Sequence, residues 1–328
     1  MAVLFIDGFS HYAIADFLQK WTSDSFSAMT SSGGRFGNGS LRYTGGTAAA
    51  TKSITFGDNR SVCGFAWRTT NLAGGPISDD FEVGAIQVRF NSSGIFIDRS
   101  GTNIASTTAV VLSSNVYYHI GLEVVHHASA GSVRLQVNGA DAIPLTTGLN
   151  TGATPGGIVV RQHAGSATTD FSDIYVLDGT GSAPWNALLG DCKVETPRPT
   201  AEGAHSDFTP STGTDNALLV DETTPNGDTD YNSSGAVNSL DTMVTSDLAT
   251  TGGTIFAVQH IMVARKTDAG LRQVAPVIRQ GGTDYVGTTQ TLGTTYTQLR
   301  QIYQQDPAAA NWTVSNVNAD EFGYKLVT

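Results

Sequence analysis

Asp80 and Glu82 are the first residues in this chain whose types and spacing suggest chemistry. Two apart on a strand, they would point the same way, as the nucleophile and general acid of a glycosidase must. No third acidic residue follows on that strand, and a solvated strand edge accounts for the pair. Asn226, Asp228 and Asp230 alternate like the ligands of a calcium loop, but the twelfth position is Val237 and the turn glycine is displaced, so they read as a polar turn before Tyr231. Asp7, Asp170 and Asp173 would form a structural calcium site if packing gathered them at a domain rim. His126 and His127 are adjacent and therefore face opposite sides of a strand, which makes them poor co-ligands. No GxSxG elbow marks a nucleophile. The Gly-rich stretch from Ser31 to Gly39 precedes an expected strand, where a phosphate loop requires a helix. Trp185 and Trp312 would stack on sugar rings if exposed; both lie beside turns, where buried anchors are common. No residue is thus assigned as catalytic, cofactor-binding or metal-ligating, the ligand-binding residues are unknown, and no cofactor is implied.

The elements that would position such residues are strands. The 328 residues include 37 glycines and only 14% charged side chains, with many Ser, Thr and Asn and no long Leu/Glu/Lys helical runs. That composition predicts an all-β protein, and the length predicts two domains. The stretch from Phe171 to Pro199 divides them: an apolar strand, Asp173–Leu177, runs into Asp178-Gly179-Thr180-Gly181-Ser182 and then a segment closed by two prolines. The boundary falls near Gly190, giving domains of 1–189 and 190–328. A net charge of −11 repels nucleic acid and anionic membranes. Cys63 and Cys192 make neither a disulfide framework nor a zinc site, and Cys63, among Val62, Phe65 and Trp67, reads as a buried thiol. The opening MAVLFIDGF lacks the features of a signal peptide, and no segment is long enough to span a bilayer. The expected setting is assembly in a cytoplasm, with any exterior location reached as part of a larger particle.

Strands are expected at Ala2–Ile6, Ser40–Tyr43, Val62–Arg68, Phe81–Phe90 with a bulge at Gly84, Ile95–Arg99, Ala109–Leu112, Tyr117–Val125, Ser132–Val137, Ile158–Arg161 and Asp173–Leu177. A helical turn is expected from Ala13 to Lys20, and a hairpin turn with positive φ at Asn138-Gly139. Many short strands between turn residues predict a jelly-roll sandwich. In the second half the expectations are a strand at Ala217–Val220, helix-like spacing of Val237, Leu240, Val244 and Leu248, and a central strand at Ile255–Ala264. Val274–Arg279 and Thr295–Tyr303 would pair near it. A helical turn capped by Asn316 and a last strand at Tyr324–Val327 complete the reading.

Several blocks carry a resemblance. DGFSHYAIADFLQKW (Asp7 to Trp21), GRFGNGSLRY (Gly34 to Tyr43), YYHIGLEVV, GSVRLQVNG and DFSDIYVLDGTG resemble the concanavalin A-like, laminin-G-like sandwich of tailed-bacteriophage virion proteins. LLGDCKVETPRPTAEG, NGDTDYNSS, ARKTDAG and the ending QQDPAAANWTVSNVNADEFGYKLV resemble the β-rich companion domain that follows it. The resemblance implies a non-enzymatic structural protein on the exterior of a virion. Its first form is a tail fibre, tip or baseplate component that recognises host-surface glycans, with a second domain that anchors or trimerises. A capsid decoration protein is the alternative, and a polysaccharide-degrading hydrolase a further one. The implied partners are other virion proteins, further copies of the chain and a glycan. By position alone, the loops Thr70 to Asp80, Asn91 to Gly94 and Ser100 to Ser106 are candidates for ligand contact.

Overall fold

The computed structural model describes residues 2–25, 28–45, 48–72, 80–163 and 167–328. The chain forms two compact units, Met1–Ser10 with Ile14–Val194 and His11–Ala13 with Glu195–Thr328. Residues 190–194 belong to the first unit, where Val194 donates its N–H to Asp173 at 2.8 Å.

The first unit is all-β, a jelly-roll sandwich of two sheets. Its strands are β1 (Val3–Asp7), β2 (Ser23–Asp24), β3 (Ala28–Thr30), β4 (Ser40–Thr44), β5 (Ala49–Lys52), β6 (Arg60–Thr69), β7 (Phe81–Val83) and β8 (Ile86–Asn91). They continue with β9 (Gly94–Arg99), β10 (Thr102–Thr107), β11 (Tyr118–Val125), β12 (Gly131–Val137), β13 (Ala140–Leu149), β14 (Ile158–Arg161) and β15 (Thr168–Asp178). One sheet runs β13-β12-β11-β6-β15-β4-β3, with β1 also on β15; the other runs β10-β9-β8-β7-β14-β5-β2. Alternation along the strands puts Phe65, Trp67 and Phe171 of the first sheet against Phe81 and Phe90 of the second. Phe65 stacks on Phe81 at 4.3 Å and Trp67 tilts over Phe90 at 4.4 Å. Each such pair contributes about 1 kcal/mol beyond its buried area. Cys63 lies in this core as a free thiol.

β6 and β15 are buried on both faces. Their outer side is covered by the 33–39 loop and the 183–194 segment. Gly64 and Gly121 make that cover possible: a Cβ on Gly64 would lie 2.0 Å from the Tyr175 ring, and one on Gly121 would meet Leu188 at 3.1 Å. The 3-10 turn Ile14–Gln19 lies where a helical turn is expected, and Asn138 and Gly139 take φ of 50° and 80° in the β12–β13 hairpin.

Three expectations for this unit are corrected. Phe81–Phe90 is two strands joined by a tight turn, since Val83 pairs with Ile86 and Gly84 takes φ of 58°; the shift of phase was a reversal of direction. Ala109–Leu112 is a connection between the two sheets, anchored by buried Leu112. Thr102–Thr107, within a stretch read as loop, is the edge strand β10; its exposed Thr, Asn and Ser carry no apolar alternation.

The second unit contains β16 (Pro199–Ser206), β17 (Thr209–Pro210), β18 (Asn232–Ser233), β19 (Leu240–Thr245), β20 (Val258–Ala264), β21 (Gln273–Gln280) and β22 (Thr283–Val286). β23 (Gln290–Thr291), β24 (Thr297–Tyr303), α1 (Val314–Ala319) and β25 (Glu321–Leu326) follow. Its main sheet runs β16-β19-β25-β21-β22, with β23 on β21; β20 pairs with β24 and β17 with β18. The expected central strand is therefore half of a two-stranded ribbon, and the central position belongs to β25. Gly323 permits close packing there, because a Cβ would lie 1.8 Å from the Asp241 carbonyl oxygen. The helix-like Val237–Leu248 spacing is the strand β19, favoured by β-branched Thr242, Val244 and Thr245. Ala217–Leu219 is a 3-10 turn, and α1 is capped by Thr313, whose side chain accepts from the Asn316 N–H at 3.1 Å.

Candidate functional site

One row of side chains on the outer face of the first sheet combines charge, hydrogen-bonding capacity and partial exposure. Asp170 on β15 stands directly opposite Arg42 on β4 and Arg68 on β6. Register extends the row to Tyr117, immediately before β11, since Tyr118 pairs with Trp67. Odd and even positions on these strands face opposite ways, so Leu41, Tyr43, Trp67 and Phe171 fill the core while this row faces outward.

Asp170 is fully buried, and its carboxylate lies between the two guanidinium groups. Arg42 donates from Nε to Oδ1 at 2.7 Å and from Nη2 to Oδ2 at 3.2 Å. Arg68 donates from Nε to Oδ2 at 3.0 Å and also from Nη2. Ser40 Oγ approaches Oδ1 at 3.4 Å. The Arg68 guanidinium lies 4.7 Å from the centroid of the Tyr117 ring, and the Tyr117 hydroxyl donates to the Gly33 carbonyl. Hydrogen bonding to Asp170 raises the Arg42 pKa; burial, with Asp170 adding to it, raises that of the Tyr117 phenol. Two cations around one anion leave a local charge of +1 on a chain whose net charge is −11. The arginine side chains are 29% and 25% exposed, so this charge meets solvent.

The adjoining part of the face is a closed polar network. Asp173 interrupts β15 at φ of 54°, and its buried carboxylate accepts from Asn38 Nδ2 at 2.9 Å, the Val194 N–H at 2.8 Å and Ser172 Oγ at 2.9 Å. Burial raises its pKa. The Arg35 N–H donates to Ser172 Oγ at 3.3 Å and the Arg35 side chain pairs with Asp191, which holds the Asp191 carboxyl below its ordinary range. His119 stacks against Tyr175 with centroids 6.2 Å apart, and burial pushes its pKa down to about 4. This network binds the covering segments to the sheet.

The residues singled out from sequence are not assembled into sites. Asp80 accepts from the Phe90 N–H at 3.1 Å and pairs with His163 Nδ1 at 2.9 Å, whereas Glu82 pairs with Arg161 at 2.7 Å. Asp7, Asp170 and Asp173 have separate partners; Asp7 meets Lys20 at 3.2 Å and accepts from Trp21 Nε1 at 2.8 Å. Among the described residues no group of three or more His, Cys, Asp or Glu side chains could hold a metal ion. Asp228 turns to Arg265 and Tyr296, and Asp230 to Asn226, so the calcium-like spacing is a polar turn. His126 is buried against Ser61 at 2.9 Å, while exposed His127 accepts from the N–H groups of Ser129 and Ala130. Trp185 and Trp312 are buried, which leaves neither as a sugar platform.

The loops proposed by position do not share one end of the sandwich. Asp80 donates its N–H to Val88, so the segment leading into β7 and the turn after Asn91 lie at the same end. Residues 73–79 of that segment lie outside the described residues. The turn at Ser100-Gly101 is at the opposite end, because β9 runs antiparallel to β8. The Arg42–Asp170–Arg68–Tyr117 row sits close to the first of these ends: Thr70, two residues beyond Arg68, donates its N–H to Thr168. Sequence reasoning missed the row, although strand parity places Arg68 and Asp170 on outward positions.

A scan against protein-family models and a search of curated proteins found no match. Among solved structures, the chain aligns with the Emp46p carbohydrate recognition domain in its metal-free form at 10% identity and a TM-score of 0.36, over 53% of this chain and 94% of that one. It aligns with the VIP36 exoplasmic/lumenal domain, in its Ca2+/Man3GlcNAc-bound form, at 9% identity and a TM-score of 0.34, over 57% and 98%. A Trypanosoma rangeli sialidase in complex with sialic acid aligns at 13% identity and a TM-score of 0.32, over 42% of this chain and only 25% of the sialidase.

Proposed function

We propose that the protein recognises glycans through the outer face of its N-terminal sandwich, and that it does so as a non-enzymatic component of a tailed-phage virion, in the tail. The observation that carries the binding reading is the Arg42–Asp170–Arg68–Tyr117 row. It offers fixed N–H donors beside an aromatic ring, which suits hydroxyl-rich ligands with one apolar ring face. The donors are held in place by a buried carboxylate before any ligand arrives, which lowers the ordering cost of binding. Binding without turnover is supported by the separate commitments of Asp80 and Glu82 to His163 and Arg161.

The virion reading rests on the resemblance of the sequence blocks, and the fold brings three of them into direct contact. Arg42 of the second block meets Asp170 of the closing block, Asn38 meets Asp173, and the Gly39 N–H donates to Ser10 Oγ of the opening block at 2.8 Å. The second unit is then the anchor or oligomerisation element. Two measurements test this reading. The full chain is screened against a panel of bacterial-envelope oligosaccharides, and antibody label is located on intact particles by electron microscopy. Glycan binding with label at the tail is expected. Absence of binding across the panel would overturn recognition, and label confined to the head would replace the tail assignment with capsid decoration.

A further inference from the structure

Both arginines of the row form their protein contacts through Nε and Nη2, and both contact sets converge on a carboxylate that is itself fully buried. Nη1 of each has no protein hydrogen bond among the described residues, while the side chains are 29% and 25% exposed. A guanidinium bound along one edge retains N–H donors along another, and a planar anion is the ligand those donors fit best. The excess of one positive charge has the same consequence, since a neutral sugar would leave it unmatched.

From this geometry we infer that the row selects acidic glycans, with a sugar-ring carboxylate bound by Arg42 and Arg68 and the ring lying near Tyr117; the inference rests on the glycan-binding reading above. The chain's overall charge sharpens the selection. At −11 it repels extended polyanions at long range, so an acidic sugar gains only where the local field reverses. Affinity for the acidic ligand should therefore fall with added salt, from contact at a single cationic position.

The test uses the full chain and titration calorimetry with uronate oligosaccharides, compared with the same oligosaccharides after carboxyl reduction to the neutral sugars. One charge-assisted contact corresponds to roughly a tenfold preference for the acidic form. A preference of that size, reduced to within twofold in Arg42→Gln and Arg68→Gln proteins whose circular dichroism matches the parent, is the expected result. Equal affinity of the parent for acidic and reduced ligands overturns the acid selection and leaves glycan recognition standing. Binding of neither overturns both. A preference that survives in the two variants overturns the assignment to these arginines. The comparison of the two ligands on the unsubstituted protein holds whether or not a variant folds.

Discussion

Replacing Asp170 with Asn is the most direct way to ask whether the carboxylate organises the row. The substitution keeps size and shape, removes the charge and places an NH2 group where a guanidinium now donates. Asp170 accepts four guanidinium N–H contacts and is fully buried. A hydrogen bond to a charged group contributes about 1.5–3 kcal/mol, and losing one partner of a fully buried pair costs about 3–5 kcal/mol. Four independent contacts would exceed that range, but the contacts belong to two arginines that are partly exposed and regain water when released. Discounting for that solvation gives about 3 kcal/mol in total. For a unit of this size the loss lowers Tm by roughly 6–12 °C. Denaturant unfolding followed by tryptophan fluorescence, with calorimetry for Tm, measures it. The reasoning also requires coupling: in Arg68→Gln protein, Asp170→Asn should cost about 1.5 kcal/mol less than in the parent. A cost below about 1 kcal/mol, or strict additivity, would mean that other contacts hold the arginines, and the row would lose its claim to be preorganised.

Gly64→Ala should destabilise the first unit by about 1–3 kcal/mol, because its Cβ overlaps the buried Tyr175 ring; in Tyr175→Ala protein the same change should be nearly neutral, as denaturant midpoints will reveal. His126, buried on Ser61 with its pKa pushed down to about 4, stays neutral in the fold while the unfolded chain protonates near 6.5. Stability of the first unit should therefore fall as pH drops from 6.5 towards 4, with a shallower decline in His126→Gln; an unchanged slope counts against the assignment. Asp320 has the opposite sign. Burial lifts its pKa from 3.8 to about 6, so the second unit should lose stability as pH rises from 4 to 6, and Asp320→Asn should flatten that segment of the pH profile measured by urea unfolding.

Strands with clear local signals were legible in the sequence. β12 alternates Val133, Leu135 and Val137 with Arg134 and Gln136, and its turn needs the positive φ that Asn138-Gly139 supplies. β13 follows that turn yet was not readable, because only Ala142 and Ile143 are buried in its ten residues and the pattern vanishes at a sheet edge. IFAVQHIMVA was read as a central strand from its hydrophobicity, whereas β25 takes that position through a glycine, a property that hydropathy ranks low. The candidate site was hidden for a different reason. Asp170 lies 128 residues from Arg42 and 102 from Arg68, and their meeting depends on the order and register of three non-consecutive strands. Alternation says which residues face outward; it does not say which outward residues become neighbours.

The position of the row follows from where the sheet's cover stops. Along the outer face of β6, Val62 and Ala66 are fully buried and Gly64 lies beneath Tyr175, while Arg60 at one end and Arg68 at the other are partly exposed. The 33–39 loop and the 183–194 segment account for this, fixed through Ser172, Asp173 and Asp191 over the middle of the face. A ligand approaching this face therefore meets polar side chains near the end where Thr70 and Thr168 bond, next to the segment leading into β7 and the turn after Asn91. If the cover governs access, releasing it should enlarge the reachable face without moving the arginines. Asp191→Asn weakens the tie to Arg35 while leaving Asp170 and its partners in place. Amide exchange should then rise in 183–194 and remain unchanged at Arg42, Arg68 and Asp170. Faster exchange at both would show that cover and row form one cooperative structure, and the row could no longer be treated as a preformed site independent of the segment beside it.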